Sequence, residues 1–125
     1  VTYPGLLASA FLLASSVAVL AAEVQLLMFE QPGCIHCAAW NKEVAPEYPL
    51  TEEGRAAPLR RLQLRDPLPE GVELVSPPVF TPTFVLVENG AEAGRIEGYP
   101  GEDFFWPLLA RMIAEAAQDG EAAQD

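Results

Sequence analysis

Both cysteines of the chain, Cys34 and Cys37, and its one histidine, His36, fall in a single stretch, residues 29–40, reading FEQPGCIHCAAW. Two thiols at that spacing can clamp a metal, anchor a haem, staple a loop or exchange disulfides. A c-type haem site needs histidine directly after the second cysteine, and residue 38 is Ala. A structural zinc site needs about four ligands, more than one cysteine pair and His36 supply. A copper-binding or cytochrome-maturation chaperone stays open as a minor reading. A bond across so short a loop removes little chain entropy, so it staples weakly. A Ser/His/Asp arrangement has little support from one histidine wedged between cysteines, and no glycine-rich phosphate loop is present. Disulfide exchange is favoured, with no metal and no cofactor beyond the Cys34–Cys37 pair itself.

Exchange needs one sulfur to be a thiolate at neutral pH, and the flanking elements can provide that. VQLLMFE, residues 24–30, is a continuous apolar run and reads as a buried strand. QPG then breaks the chain, and the pattern predicts a helix from near Cys34 to about Ala45. Cys37, Trp40, Asn41 and Val44 repeat at helical spacing, and Pro46 stops the run. Cys34 then faces unpaired backbone N–H groups and the positive end of the helix dipole, both of which favour thiolate. Cys34 attacks a substrate disulfide, and Cys37, one turn later, resolves the mixed disulfide. His36 is expected to stabilise the Cys34 thiolate further and to raise the potential. Ile35 is expected to lie exposed, where a protein substrate would touch it.

The rest of the sequence reads as support. YPLTEEGRAAP carries turn signals and a short helical piece. A second strand is expected at residues 59–66, then a proline-rich loop holding a short extended piece at 72–75. Strands follow at 83–88 and 93–97, joined by the hairpin signal ENG. Thr81–Pro82 stands just before the first of them. A cis bond there would turn the chain sharply and expose the Thr81 backbone, whereas a trans proline at a strand start fits equally well. The last helix is amphipathic, with Phe105, Leu108, Leu109, Met112, Ile113 and Ala116 as its core stripe; it either begins near Pro107 or kinks there. Residues 119–125 read as a flexible tail. The fold class is α/β, a mixed sheet with helices on both faces, in one domain over residues 23–118.

Residues 1–22 carry no charge and end on small residues, as a secretory signal cut after Ala21 or Ala22 would; an uncleaved membrane anchor is the alternative. Export implies a periplasmic location, where paired cysteines are oxidised readily. A net charge of −11, from 18 acidic and 7 basic residues, disfavours nucleic acid as a partner. Periplasmic protein thiols and disulfides fit better.

The strand entering CIHC, the TPTF element and ENGAEAGRIEGY leading to the last helix together resemble the thioredoxin superfamily over residues 23–118. The resemblance implies a thioredoxin-like fold and a thiol–disulfide oxidoreductase. It matches Cys34 to the attacking cysteine, Cys37 to the resolving one, Pro82 to the cis-proline, Thr81 to its substrate-contacting neighbour and Gly98 to the glycine after the last strand. There are departures. Position 28, where cytoplasmic thioredoxins bury an aspartate, is Met, and nearby Glu30 is expected to point away from that side of the strand. Gly33 replaces the usual tryptophan, IH replaces GP between the cysteines, and residues 66–80 are short for a full second helix, so that face should be thinner. The runs LLMFEQPGCIHCAAW, LQLRDPLP, FTPTFVLVENG and EGYPGEDFFW are similar to the periplasmic thioredoxins of bacterial sulfur-oxidation operons. That narrower resemblance implies a reductase that keeps the carrier protein SoxYZ active through the reactive cysteine of SoxY. Its electrons would come from a CcdA-like membrane thiol transporter. The alternative is an envelope disulfide oxidant or isomerase, because His36 stands where strong oxidants carry histidine.

Overall fold

Four consecutive apolar side chains, Leu26 to Phe29, are buried on both faces of β1 (Val24–Glu30), which lies inside a four-stranded sheet of order β2-β1-β3-β4. The computed structural model describes residues 1–5, 10–15 and 22–122. β2 (Leu59–Gln63) runs parallel to β1, whereas β3 (Thr83–Glu88) and β4 (Ala91–Glu97) form an antiparallel half. The parallel pair needs a crossover, which α1 (Ile35–Glu43), a 3-10 turn at Tyr48–Leu50 and α2 (Glu52–Ala56) supply. β2 stops three residues earlier than expected. Leu64 still donates to Glu30, but Asp66 bonds back to Gln63 and the chain turns away. At the hairpin, Asn89 and Gly90 both take positive φ, 51° and 86°, the pattern of a tight two-residue turn. Glu88 therefore pairs directly with Ala91, and β4 begins two residues before the expected 93.

The two faces of the sheet are covered differently. On one, Leu26, Met28, Phe84, Leu86 and Ile96 pack against Cys37, Trp40 and Val44 of α1 and against Phe105, Leu109, Met112 and Ala116 of α3 (Glu102–Ala122). On the other, Leu27, Phe29, Val85 and Val87 are sealed by Leu62, Leu64, Val72 and Leu74. The sheet is mixed and flanked by helices, but the helices pack on one face, and the expectation of helices on both faces is not met. Four prolines between residues 66 and 80 deny that segment a helix. The loop is fastened instead: Glu73 donates to Gly90 at 2.8 Å, Glu92 to Glu73 at 3.0 Å, and Val75 to the Glu92 side chain at 3.0 Å. The extended piece expected at 72–75 is reduced to one bridge, Glu73 with Ala91.

α3 starts at Glu102 and runs unbroken through Pro107, whose ring is exposed, so the regular helix does not begin at the proline. Its buried stripe is Phe105, Leu109, Met112 and Ala116; Leu108 is exposed and Ile113 half-buried, because a 3.6-residue period leaves both at the stripe's margin. Trp106, absent from the expected stripe, stacks on Tyr48 at 5.9 Å. Gly94 permits this packing, since a β-carbon there would stand 3.0 Å from Met112 Sδ. The helix reaches Ala122, into the segment read as a tail, with Gly120 lying close against Glu88. Residues 123–125, and residues 6–9 and 16–21 of the segment read as a signal or anchor, lie outside the described residues; the described stretches 1–5 and 10–15 have no regular secondary structure. Among the described residues, no helix is long and apolar enough to cross a membrane.

The crossover is pinned by Tyr48, whose buried hydroxyl donates to the Ala57 carbonyl at 2.6 Å. Burial first, and the charge of Glu53 second, push its phenol above the ordinary value of 10.0. A raised folded-state pKa means the native form keeps a proton that the unfolded chain has lost. The stability this contributes is full below about pH 10 and is lost as pH climbs beyond it. Tyr48→Phe is expected to cost about 1–3 kcal/mol at pH 7, by leaving the Ala57 carbonyl unpartnered, and to make the alkaline decline shallower. Urea unfolding at neutral pH and above pH 10 measures both effects.

Candidate active site

At the end of β1 the chain turns through Gln31, Pro32, Gly33 and Cys34, closed by a hydrogen bond from Cys34 N–H to the Gln31 carbonyl at 3.3 Å. Proline second and a glycine at φ +78° third are what a type II turn requires. The glycine that replaces the family's tryptophan therefore has a local cause. The turn delivers Cys34 to the N-cap of α1, where its Sγ accepts the Cys37 N–H at 3.1 Å. That donor and the helix dipole both stabilise negative charge on Cys34. Cys34 and Cys37 form a disulfide, with Cα atoms 5.2 Å apart. The two sulfurs are not equivalent: Cys34 is partly exposed, whereas Cys37 is only 4% exposed and belongs to the core.

Ile35 is 75% exposed, as expected. His36 is exposed too, and among the described residues its side chain makes no hydrogen bond to either sulfur.

The Thr81–Pro82 bond is cis. Pro82 is buried, and its carbonyl accepts the Gly98 N–H at 2.7 Å, so the glycine at the end of β4 braces the proline loop. Thr83 Oγ1 donates to the Phe80 carbonyl at 2.7 Å, closing the loop from within. Gln31 Nε2 donates to Thr81 Oγ1 at 3.0 Å, which ties this loop to the turn before Cys34. Among the described residues, the Thr81 backbone N–H and carbonyl enter none of the turn, loop or cap hydrogen bonds. The Gln31 link was not foreseen, because the two residues stand fifty apart in the chain and belong to separate motifs.

One expectation is overturned. Glu30 does not point away from the side of position 28. Arg61 Nη1 meets Met28 Sδ at 3.7 Å and Glu30 Oε2 at 2.8 Å, so both residues project from the same face of β1. A strand repeats every two residues, and positions 28 and 30 share a face for that reason. Arg61, also unforeseen, lies with its guanidinium 5.5 Å from the centre of the Trp40 ring. Glu30 lines a shallow hollow of about 330 Å³ together with Gln31, Cys34, Cys37 and Asn41. Among the described residues, no three His, Cys, Asp or Glu side chains are grouped to hold a metal ion.

A redox cysteine pair opening a helix after a buried strand, with a cis-proline at the head of the antiparallel half of the sheet, defines a thiol–disulfide oxidoreductase of the thioredoxin fold. The crystal structure of the periplasmic thioredoxin SoxS from Paracoccus pantotrophus, in its reduced form, is 68% identical in sequence and superposes with a TM-score of 0.74, over 75% of this chain and 99% of that one. The chain belongs to the SoxS family of periplasmic thioredoxins. The sequence matches no family model and no curated protein.

The unequal exposure of the sulfurs has a direct readout. In the reduced protein, Cys34 is expected to alkylate at least about tenfold faster than Cys37 under limiting iodoacetamide at neutral pH. Peptide mass mapping over time resolves the two sites. Equal labelling, or Cys37 first, contradicts the assigned order.

Proposed function

We propose that this periplasmic thioredoxin is a reductase for SoxYZ, acting on a disulfide that involves the reactive cysteine of SoxY. The observation that carries the reading is the 68% identity to SoxS over 99% of that chain. The Cys34 thiolate attacks the substrate disulfide, a Cys34 mixed disulfide forms, and one substrate thiol leaves with a proton. Cys37 then attacks Cys34 Sγ, the mixed disulfide breaks, and the second substrate thiol is released. The protein ends as the Cys34–Cys37 disulfide, having passed two electrons to the substrate, whose two thiols take one proton given up by Cys37 and one from solvent. Thr81, with its free backbone groups, and Pro82 form the ledge that aligns the substrate strand, and exposed Ile35 supplies an apolar contact beside it. A CcdA-like membrane thiol transporter returns the electrons.

A second reading, an envelope oxidant, rests on His36 between the cysteines. A positive charge there would favour the reduced, thiolate form and so raise the potential. Equilibration with glutathione decides the direction: a value near that of strong oxidants, roughly −120 mV, overturns the reductase.

The partner is tested by trapping. Cys37→Ser, expressed in the native periplasm, is expected to accumulate a Cys34 mixed disulfide whose partner, identified by mass spectrometry, is SoxY. Capture of other envelope proteins without SoxY overturns the SoxYZ assignment. Cys34→Ser is expected to abolish exchange, and multiple turnover by that variant contradicts the division of roles.

A further inference from the structure

Three exposed apolar side chains stand on the segment that leads into the cis-proline, and they belong to neither side of the core. Val72 and Leu74 turn inward and seal the sheet, but Val75, Val79 and Phe80 are 84%, 80% and 50% exposed. The stretch that carries the last two is held at both ends. At one end the Arg95 guanidinium donates to the Ser76 carbonyl, and the Glu92 carboxylate accepts the Val75 N–H at 3.0 Å. Arg95 and Glu92 are themselves joined at 2.7 Å, with side chains only 12% and 10% exposed. At the other end the Phe80 carbonyl accepts Thr83 Oγ1 at 2.7 Å. Between the two fixings lie Pro77 and Pro78, whose rings lock φ and bias each preceding residue towards extended backbone. Val79 and Phe80 are therefore displayed on a stiff arm, and a stiff contact loses little freedom when a partner covers it. Arg95 pairs with Val85 across the strands, so the clamp lies on the sheet face away from α1.

We propose that Val79 and Phe80 are specificity-determining contacts for an apolar side chain close to the reacting cysteine of the protein substrate, and that Arg95, with Glu92, is the positioning residue of the arm that carries them. The inference rests on the reading of this protein as a reductase of protein disulfides. Continuity with the ledge supports the occupant. Thr81 follows Phe80 directly, and Gln31, three residues before Cys34, ties it at 3.0 Å. A substrate segment laid along Thr81 with its sulfur at Cys34 runs on past Phe80 and Val79. Two residues of extended chain span ~7 Å, so a side chain about one to three residues from the substrate cysteine meets them. Joint burial of apolar surface favours such a segment over a polar one, and an aromatic anchor carries much of the affinity in interfaces of this kind. The net charge of −11 further disfavours an acidic segment.

The test uses the reduced full chain and peptide disulfides in single turnover. Each substrate is a homodimer of a short peptide joined through its one cysteine, which is flanked by valine and phenylalanine in one series and by serine in the other. One turnover closes the Cys34–Cys37 disulfide and frees two peptide thiols, which are measured by chromatography after an acid quench. Dithiobis-nitrobenzoate, too small to reach along the arm, gives the reference rate of each variant. Relative to that reference, the wild-type protein is expected to reduce the apolar peptide about tenfold faster than the serine peptide at low concentration. Val79→Ser combined with Phe80→Ser should erase the preference, by raising the half-saturating concentration of the apolar peptide and not by lowering its limiting rate. Arg95→Lys keeps a charge for Glu92 but loses the fork that reaches Ser76, and should weaken the preference about threefold. In a Phe80→Ser background it should add nothing, because it acts through the arm. Equal reduction of both peptides by the wild-type protein, or a preference that survives the double substitution, overturns the contact. Additive loss on combining Arg95→Lys with Phe80→Ser overturns the positioning role. A wild-type dimer in sedimentation that Phe80→Ser dissociates assigns the arm to a second copy of the chain and overturns the substrate contact. Rapid reduction of the small disulfide but of no peptide at any concentration overturns the protein-disulfide reading itself. A clear peptide preference without capture of SoxY by Cys37→Ser upholds the contact and removes only SoxYZ.

Discussion

The burial of Trp40 is the constraint from which the geometry of the cysteines follows. Its ring is fully enclosed, 5.3 Å from Phe84 of the sheet, 5.9 Å from Phe105 of α3 and 6.1 Å from Tyr48 of the crossover, with Arg61 over it. An aromatic of 150–250 Å² contributes roughly 4–6 kcal/mol on removal from water, at about 25 cal/mol per Å². Its Nε1 is buried without a hydrogen-bond partner, which costs about 1–3 kcal/mol. Packing outweighs that loss, and so the indole stays in. Because Trp40 lies one turn beyond Cys37, α1 cannot roll without withdrawing it. That fixes Cys37 inward and leaves Cys34 at the rim. The asymmetry that exchange chemistry needs is thus a by-product of core packing.

Much of this was legible in the sequence. β1 and β3 were readable because both are continuous apolar runs bounded by turns, and α1 because Cys37, Trp40 and Val44 keep a helical period between a Pro-Gly turn and Pro46. The cysteine pair and its helix start follow from local spacing. The cis bond at Thr81–Pro82 does not, since a trans proline suits a strand start equally; there the family likeness supplied what the local pattern left open. What escaped depends on partners distant in sequence. Gln31 with Thr81, and Glu30 with Arg61, meet only once the sheet order brings their strands and loops together. The side on which Glu30 lies was legible from the two-residue repeat and was misjudged. The one-sided placement of the helices was half legible: the shortness of residues 66–80 signalled a thin face, but not that a stapled loop would seal it.

The site is assembled from three separate pieces of chain. The turn before α1 supplies the sulfurs, the loop before β3 supplies a backbone edge, and β2 reaches in with a guanidinium. Two polar bridges, Gln31 to Thr81 and Arg61 to Glu30, join these pieces across the surface. Each spans an otherwise soft boundary between segments, so the relative position of sulfur and ledge does not depend on apolar packing alone. Gly98, bonded to Pro82 from β4, closes the arrangement from the opposite side.

The loop-sealed face of the sheet has an evolutionary implication. Leu27, Phe29, Val85 and Val87 need an apolar cover, but nothing in the chemistry of Cys34 and Cys37 specifies what that cover is. Here it is a proline-rich strap anchored by Glu73, Glu92 and Arg95 to the far hairpin. Catalysis and cover occupy opposite sides of one sheet, so they are free to diverge as separate modules. A lineage can lengthen the strap, fold it into a helix or recruit it as a recognition element, while the redox face is inherited intact.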